Sequence, residues 1–338
     1  MFECLASKKY RGNTENVNKD GYDMSKLVVY AIGGNALSDP KGGSIEETAL
    51  VLAKVLSDVV DLLEAGWSVV LTHGNGPQVG ELLQLDSDNN QSMDAWVAAT
   101  QGMIGHELSL NLDSILDRRG RPERTAVILT RVEVSAEDKA FRHPTKPVGA
   151  ILSDERVFDN DWDIAETVNG PRRVVASPKP IHVLDLDVIG SLVKLGAVVI
   201  CGGGGGIPVI RKDKHWLGVP AVIDKDHLSG MLATELNANA LIISTAVDAV
   251  RLNFGREDEE ILNKMELKDA EQYLQNGEFP VGSMGPKVAA LIDAVRIRPT
   301  LQAIICQPGD ALASIRGSTG TTVFNERAIR GSNPRPTD

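Results

Sequence analysis

Apolar residues follow two alternating patterns along the chain, which predict strands and helices in turn. Continuous β-rich runs, typical of buried strands, occur at 27–32, 67–73, 125–134, 197–201 and 302–307, and 240–250 is predicted to be a strand with a turn. Helical spacing of apolar residues occurs at 44–65, 92–118, 189–196, 226–238 and 282–296, and one more helix carries Val79, Leu82 and Leu83. Uninterrupted apolar strands that alternate with helices predict an α/β fold, a three-layer αβα sandwich around an open, mostly parallel sheet.

Two regions interrupt this alternation. Residues 135–180 are rich in Asp, Glu, Arg and Pro, and we expect them to form a protruding lid subdomain inserted in an N-terminal lobe of residues 24–212. A C-terminal lobe would then span 213–324. Residues 1–23 are polar and lack the apolar core of a signal peptide, and 325–338 are also polar, so we predict disorder at both ends.

Charge and cysteine content exclude several classes of function. The 338 residues carry a formal net charge of −11, which argues against binding to nucleic acid or to an anionic membrane surface. No apolar stretch of membrane-spanning length occurs, so a cytoplasmic protein is expected. Cys4, Cys201 and Cys306 form no C-x-x-C pair, which indicates reduced thiols and neither a zinc site nor a disulfide framework.

Three glycine clusters follow predicted strands. They are Gly33-Gly34-Asn35, Gly74-Asn75-Gly76 and Gly202 to Gly206, which includes Gly203 and Gly204. The carboxyl ends of parallel strands share one edge of a sheet, and glycine lets backbone N–H groups approach an anion there. Any one cluster is equally explained as a tight turn between strand and helix. Three at one edge favour a phosphate site.

The site does not follow the common nucleotide motifs. The first cluster does not fit G-x-G-x-x-G, and 202–206 fits part of it only because every residue is glycine. The Walker A pattern G-x-x-x-x-G-K-[ST] is absent. The sequence therefore predicts a phosphate site of a different design.

Lys146, Lys225 and Lys287 are the candidate cations of that site, because Pro, Gly or Asp residues flank each of them. A lysine taken alone is more often a surface residue. Phosphoryl transfer brings two anions together, and two unit charges 4 Å apart repel by about 4 kcal/mol at an effective dielectric constant near 20. Lysines that reach both partners offset this repulsion.

Acidic side chains near the lysines have two readings. Asp226 is expected to orient Lys225 and the other lysines or to touch a magnesium ion, whereas both Asp224 and Asp226 also suit the N-cap of a helix. His73 follows a strand and is expected to support the loop at Gly74. The sequence contains no Ser-His-Asp pattern and no metal-ligand spacing, so no resident metal is predicted.

These motifs together resemble the carbamate kinases of the amino acid kinase superfamily. The matching segments are AIGGNAL (31–37), THGNGPQVG (72–80), ATQGMIG (99–105), PTKPVG (144–149), RRVVASPKP (172–180), GGGGIPV (203–209), AVIDKDHLS (221–229), TAVDAVRLNF (245–254), GSMGPKV (282–288) and GSTGT (317–321). They span nearly all of 26–323. Other members of the superfamily share the glycine loops but not THGNGPQVG, AVIDKD and GSMGPK together.

The resemblance implies a function. It implies a homodimer in which the N-terminal lobe holds carbamate or carbamoyl phosphate and the C-terminal lobe holds ATP or ADP with Mg²⁺. It implies reversible transfer between ATP and carbamate, running toward ATP in arginine or purine-derivative breakdown. Carbamate already carries a nucleophilic oxyanion, so this reaction needs positioning and electrostatic stabilisation and no general base.

The resemblance also implies roles for individual residues. The catalytic set is Lys146, Lys225, Asp226 and Lys287. The set that binds substrate or phosphate is Gly33, Gly34, Asn35, Gly74, Asn75, Gly76, Gly203 and Gly204. The nucleotide set is Lys225, Thr245, Val247, Asp248, Asn253, Met284 and Lys287.

The chain departs from the family pattern at several positions. Ala150-Ile151-Leu152 stands where the family usually has an aromatic after the lid motif, Ala176 replaces a usual Pro, and Ala246 an often-found Gly. Arg251 occupies the position of an aromatic near the adenine. Two alternatives therefore stay open: a superfamily enzyme that acts on another small acid, and a nucleotide-binding regulator without turnover. A Rossmann dehydrogenase fits less well.

Overall fold

The computed structural model describes residues 26–33, 37, 45–86, 91–152, 162–167, 170–280 and 282–326. The predicted extension 1–23 and most of the tail 325–338 lie outside these residues. The α-helices are α1 (Ile45–Glu64), α2 (Gly76–Leu85), α3 (Met93–Arg118), α4 (Leu186–Lys194), α5 (Lys225–Glu235), α6 (Leu267–Gln275), α7 (Met284–Ile297) and α8 (Ala311–Ile315).

Seventeen strands accompany these helices in the described residues. They are β1 (Lys26–Ile32), β2 (Trp67–His73), β3 (Thr125–Val127), β4 (Arg131–Val134), β5 (Lys146–Val148), β6 (Ile164–Thr167), β7 (Gly170–Val175), β8 (Pro180–Val183), β9 (Val198–Ile200), β10 (Ile207–Lys212), β11 (His215–Gly218), β12 (Ala240–Ser244), β13 (Val250–Leu252), β14 (Glu260–Leu262), β15 (Lys264–Glu266), β16 (Gln302–Cys306) and β17 (Thr321–Phe324).

An eight-stranded sheet forms the centre, in the order β15-β17-β16-β12-β1-β2-β9-β3. All neighbouring pairs are parallel except β16 with β17. Strands β1 and β12 are buried along nearly their whole length, as expected of strands with helices on both faces. The predicted α/β sandwich with a mostly parallel sheet is confirmed.

The core lies in two layers because alternate side chains of each strand point to opposite faces. Val29 and Ala31 of β1 pack in one hydrophobic cluster with α5 and α7. Val28 and Tyr30 pack in the other with α1 and α3. Cys201 and Cys306 are buried free thiols, and burial raises the pKa of each to about 12. This agrees with the expectation of reduced thiols; Cys4 lies outside the described residues.

Three smaller sheets accompany the central one in the described residues, and one of them is the antiparallel pair β13 and β14. Strands β5, β7 and β6 form an antiparallel three-stranded sheet inside the predicted lid limits of 135–180. Strands β11, β10, β4 and β8 form a four-stranded sheet beside it, so the chain just before and just after the lid belongs to one layer. No helix in the described residues is long and apolar enough to cross a membrane.

The prediction of a single strand over 125–134 is wrong. The chain leaves the central sheet after β3 and enters the four-stranded sheet as β4. Thr130 lies at the crossing, where its N–H donates to Gln101 Oε1 (2.8 Å) and its Oγ1 accepts from Gly202 N–H (2.8 Å). These bonds replace the strand ladder at that residue. In the run 240–250, predicted as a strand with a turn, β12 ends at Ser244 and β13 begins at Val250.

We expect Leu62→Ala to lower the free energy of unfolding by about 2–5 kcal/mol, since Leu62 has no exposed surface and its truncation leaves a cavity under β1 and β2. Leu50→Ala on the same helix is the matched control. Leu50 is 65% exposed, so its truncation should change stability by no more than about 0.5 kcal/mol. Urea unfolding measures both, and equal losses would contradict the assigned burial of α1.

Candidate functional site

Four neighbouring strands end at one edge of the central sheet, and each leads into a predicted binding loop. These strands are β12, β1, β2 and β9. Gly33 follows β1 so closely beside β12 that a Cβ on it would lie 2.5 Å from Ser244 O. Gly74 follows β2, and Gly202 lies two residues after β9 ends. The structure thus brings Gly33, Gly74 and the Gly202–Gly206 loop together, as predicted; Gly34 and Asn35 lie outside the described residues.

Buried polar side chains support the Gly202–Gly206 loop on its inner side. Gln101 Nε2 donates to Gly203 O (2.8 Å), and Asn75 Nδ2 donates to Thr100 Oγ1 (2.9 Å). A Cβ on Gly203 would lie 2.4 Å from the His73 ring, and one on Gly204 would lie 2.2 Å from the Asn75 amide. These side chains leave room only for glycine, and Gly204 also has a positive φ of 64°.

His73 supports this loop as a neutral ring. Its Nδ1 lies 2.9 Å from Gly74 O, and the residue is 1% exposed. Burial disfavours the charged imidazolium and lowers the pKa of His73 to about 4. A ring that is neutral and buried at physiological pH adds no charge beside the loop, which is consistent with the supporting role expected of His73.

Asp226 joins two of the three predicted lysines. Its Oδ1 accepts from Lys225 Nζ (2.7 Å) and its Oδ2 from Lys287 Nζ (2.9 Å). Lys225 and Asp226 open α5, and Lys287 is in the first turn of α7, so two helix N-termini with their favourable dipoles meet here. The Lys225 side chain also lies beside the loop at Gly74. A Cβ on Gly74 would lie 3.6 Å from Lys225 Cδ and Cε.

Burial and charge oppose each other in this cluster. Burial alone would raise the pKa of the Asp226 carboxyl, but the ammonium groups of Lys225 and Lys287 outweigh it and hold that pKa at about 2. Burial lowers the pKa of Lys225, while attraction to Asp226 raises the pKa of Lys287 above its usual value despite burial. The carboxylate stays ionised at neutral pH. Two protonated lysines would leave the cluster one positive charge in excess, which suits an anionic ligand.

The third lysine arrives from the lid. Lys146 is the first residue of β5, and its Nζ donates to Asp224 Oδ2 at 2.5 Å. Asp224 is also the N-cap of α5: its Oδ1 accepts from Asp226 N–H (2.9 Å), and the pKa of its carboxyl is lowered because His227 and Lys146 outweigh the effect of burial. Asp224 thus ties β5 to the helix that carries Lys225 and Asp226, so Lys146 pairs with a residue two positions before the carboxylate that Lys225 and Lys287 share.

A cleft of about 660 Å³ opens beside Lys287. Of the predicted nucleotide residues, Thr245, Val247, Met284 and Lys287 line it, and so does Ala246. The other three predicted nucleotide residues, Lys225, Asp248 and Asn253, are not among its lining residues. Asp248 Oδ1 accepts from Arg251 Nη1 (2.7 Å), and Asn253 Nδ2 donates to Asp258 Oδ2 (3.0 Å). Arg251 also pairs with Glu259 (2.9 Å), so it braces its own loop.

Sequence reasoning missed several residues of the site. Gln101 holds the glycine loop from a helix, and no spacing in the sequence links it to Gly203, 102 residues later. Lys54 of α1 lines the cleft from the far side and reads as an ordinary surface lysine in the sequence. Arg172 donates through Nη2 to Gly149 O, and its buried Nε has no hydrogen-bond partner among the residues that the structure describes. The repeated Arg172-Arg173 pair was the only sequence signal for it.

We expect His73 to make the fold less stable in acid. Because the pKa of His73 is about 4 in the fold, and about 6.5 in an unfolded chain, stability is gained above pH 6.5 and lost as the pH falls toward 4. The loss is on the order of 3 kcal/mol over this range. His73→Gln should reduce the slope of unfolding free energy against pH between 4 and 6.5, measured by urea unfolding; an unchanged slope would contradict a buried neutral ring.

Comparisons with known proteins agree with this geometry. Residues 26–305 match the model of the amino acid kinase family. The carbamate kinase-like protein YqeA of Escherichia coli is 42% identical over 313 residues, with 89% of this chain and 99% of that protein covered. The carbamate kinase of Halobacterium salinarum is 40% identical over 309 residues, with 89% and 98% covered.

A solved structure shares the fold over the same length. The carbamate kinase of Giardia lamblia bound to AMP-PNP superposes with a TM-score of 0.80 at 33% identity, covering 90% of this chain and 99% of that one. These proteins similar to the present chain are kinases, enzymes that transfer phosphoryl groups. The lysines that share Asp226 suit that chemistry. The chain therefore belongs to the amino acid kinase family and, within it, to the carbamate kinases.

Proposed function

We propose that this protein catalyses reversible phosphoryl transfer between ATP and carbamate. The observation that carries the proposal is the sharing of Asp226 by two lysines. Lys225 lies along the Gly74 turn, on the side predicted for the small acid, whereas Lys287 lines the cleft predicted for the nucleotide. A phosphoryl group between these two sides would meet both ammonium groups during transfer.

The chemistry follows from charge placement. The carbamate oxyanion attacks the γ-phosphorus of ATP, the bond to the bridging oxygen breaks, and ADP leaves with that electron pair. In reverse, a β-phosphate oxygen of ADP attacks carbamoyl phosphate. No proton has to be removed in either direction, so the reaction needs no general base, and the buried, neutral His73 has a supporting role only. Lys225 and Lys287 would stabilise the charge that spreads over the transferring oxygens.

Backbone amides supply the rest of the anion site. The turn Gly74-Asn75-Gly76 leads into α2, whose N-terminus presents free N–H groups and the positive end of a helix dipole. Lys146 would complete the site from the lid, where it now pairs with Asp224. An arriving phosphate would compete with the Asp224 carboxylate for this ammonium group. The lid thus carries a cation that substrate can recruit.

Mg²⁺ would arrive with the nucleotide. The described residues hold no group of three metal-ligating side chains, and both oxygens of Asp226 already accept from lysines. This donor set fits an ion held mainly by phosphate oxygens and water, as Mg²⁺ often is in kinases. When bound, the ion neutralises charge on the β- and γ-phosphates.

The direction in the cell belongs to the same proposal. Carbamoyl phosphate is a mixed anhydride, so transfer to ADP is the downhill direction. We place the enzyme at the ATP-forming step that ends arginine or purine-derivative breakdown. One alternative is a different small acid in the same site. Two observations favour it: the chain is 42% identical to a carbamate kinase-like protein, and its lid segment Ala150-Ile151-Leu152 departs from the family pattern.

We propose further that two copies associate through α3 and the edge strand β3. Met103 (57%) and Leu110 (56%) are exposed on α3, Val127 (37%) and Leu129 (51%) are exposed in and just after β3, and β3 has a neighbour on one side only in the described sheet. An apolar face along an open sheet edge is suited to pairing with a second copy.

We expect the native chain to sediment at twice its sequence mass and Leu110→Glu to sediment as a single chain, because the new carboxylate would be buried without a partner. Leu195→Glu, at a residue 66% exposed beyond the end of α4, is the control and should stay paired. A native protein that sediments as one chain would refute the dimer, and dissociation of Leu195→Glu would refute this choice of face.

We expect Lys225→Ala to lower kcat for ATP formation from ADP and carbamoyl phosphate by about 10²–10³-fold, since one of the two shared ammonium groups is lost. Lys194→Ala, an exposed lysine on α4, is the matched control and should keep full activity. If the native protein is inactive with carbamoyl phosphate but active with acetylglutamate or uridylate, then that compound, and not carbamate, is the substrate. Full activity of Lys225→Ala would overturn the site.

A further inference from the structure

At Gly80 and Gly149, helix α2 and the base of the lid approach each other backbone to backbone. A Cβ placed on Gly80 would lie 2.0 Å from Gly149 Cα and 2.2 Å from Gly149 N. It would also lie 3.3 Å from the carbonyl carbon of Val148. Both partners are glycines, so any side chain on α2 at this position would force the lid away from the helix.

Two hydrogen bonds fix Gly149 at this contact. Its N–H donates to Gly76 O in the first turn of α2 (3.3 Å), and its carbonyl accepts from Arg172 Nη2 of β7. Its φ of +70° is one that residues with a side chain rarely adopt. Next to it, Val148 packs in a buried cluster with Val79 of α2. The lid therefore rests on α2 at a defined point.

Lys146 begins the strand that ends at this point. Strand β5 is three residues long, and it runs from Lys146 directly to Val148 and Gly149. Its register with β7 pairs Lys146 with Val175 and Val148 with Arg173, so the short strand moves with the lid sheet as one piece. At the other end, Lys146 Nζ lies 2.5 Å from Asp224 Oδ2. A shift of Gly149 is therefore passed to the ammonium group of Lys146.

We infer that Gly80 is a positioning residue for phosphoryl transfer: its lack of a side chain seats the lid so that Lys146 reaches the transferring group. The inference rests on the proposed function, because it assigns Lys146 to that reaction. Neither Gly80 nor Gly149 touches the reacting atoms; together they fix the distance at which the lid cation acts.

The size of the effect follows from the contact distances. Relief of a 2.0 Å approach requires a displacement of about 1 Å or more, and misplacement by that amount lowers enzymatic rates by as much as about 100-fold. The helix itself should tolerate alanine, since Ala favours a helix interior over Gly by about 1 kcal/mol. Gly80→Ala is therefore expected to move the lid and leave the fold intact.

The first experiment measures ATP formation from ADP and carbamoyl phosphate. Gly80→Ala should lower kcat by about 10–100-fold and leave KM for ADP within about twofold, since no lid residue that the structure describes lines the nucleotide cleft. Gly190→Ala, on α4, is the matched control. A Cβ on Gly190 would contact only the Leu236 side chain, at an ordinary van der Waals distance of 3.5 Å. It should match the native enzyme. Native kcat in Gly80→Ala would overturn the inference.

The second experiment asks whether Gly80 acts through Lys146. In a Lys146→Ala background, Gly80→Ala should change kcat by less than about twofold, because the group it positions is already gone. Loss of the full 10–100-fold in that background would overturn the inference, since Gly80 would then act on something other than Lys146.

A third measurement is independent of activity. Amide hydrogen exchange over 146–152 should be faster in Gly80→Ala than in Gly190→Ala, with exchange of α5 and the central strands unchanged. If the native protein makes no ATP, the proposed function fails, while faster exchange still supports the lid seat. If exchange over 146–152 is unchanged, the seat itself is refuted whatever the activity.

Discussion

One buried carboxylate, that of Asp226, makes this site possible. Two ammonium groups with side chains 13% and 17% exposed would repel each other and lose their charge in the apolar interior, were a counter-ion not within 2.9 Å of each. Both lysines in turn stabilise the charged form of the carboxylate and keep it ionised despite burial. The fold delivers all three because α5 and α7 begin at the same edge of the sheet. Every step of the proposed chemistry uses the positive charge that this arrangement keeps.

Neutral groups complete the frame around that charge. Gln101, Asn75 and Thr100 satisfy the backbone and side-chain polar groups beneath the glycine loop, and His73 fills the space against Gly203 without adding charge. A second cation or anion in this layer would change the field at the phosphoryl position. These contacts fix the position of the loop at the edge of the sheet where we propose that phosphate binds.

The sequence predicted those parts of the site that depend on local pattern. Gly33, Gly74 and Gly202 follow apolar strands, and parallel topology brings strand ends together, so their meeting was foreseeable. Gln101 and Arg172 were missed, because their partners are set by how α3 and the lid pack. The strand over 125–134 was wrong for a similar reason: its apolar run continues unbroken, and only Gln101 and Gly202 show that Thr130 leaves the sheet.

Asp224 shows why the two readings of a residue need not exclude each other. As an N-cap, it bonds the N–H of Asp226 and so fixes the turn that presents Lys225 and Asp226. As an acceptor for Lys146, it gives the lid a partner when no phosphate is present. One oxygen serves each role, so displacement of Lys146 by an anion leaves the cap in place. The lid cation can therefore change partners while the buried cluster beneath it keeps its geometry.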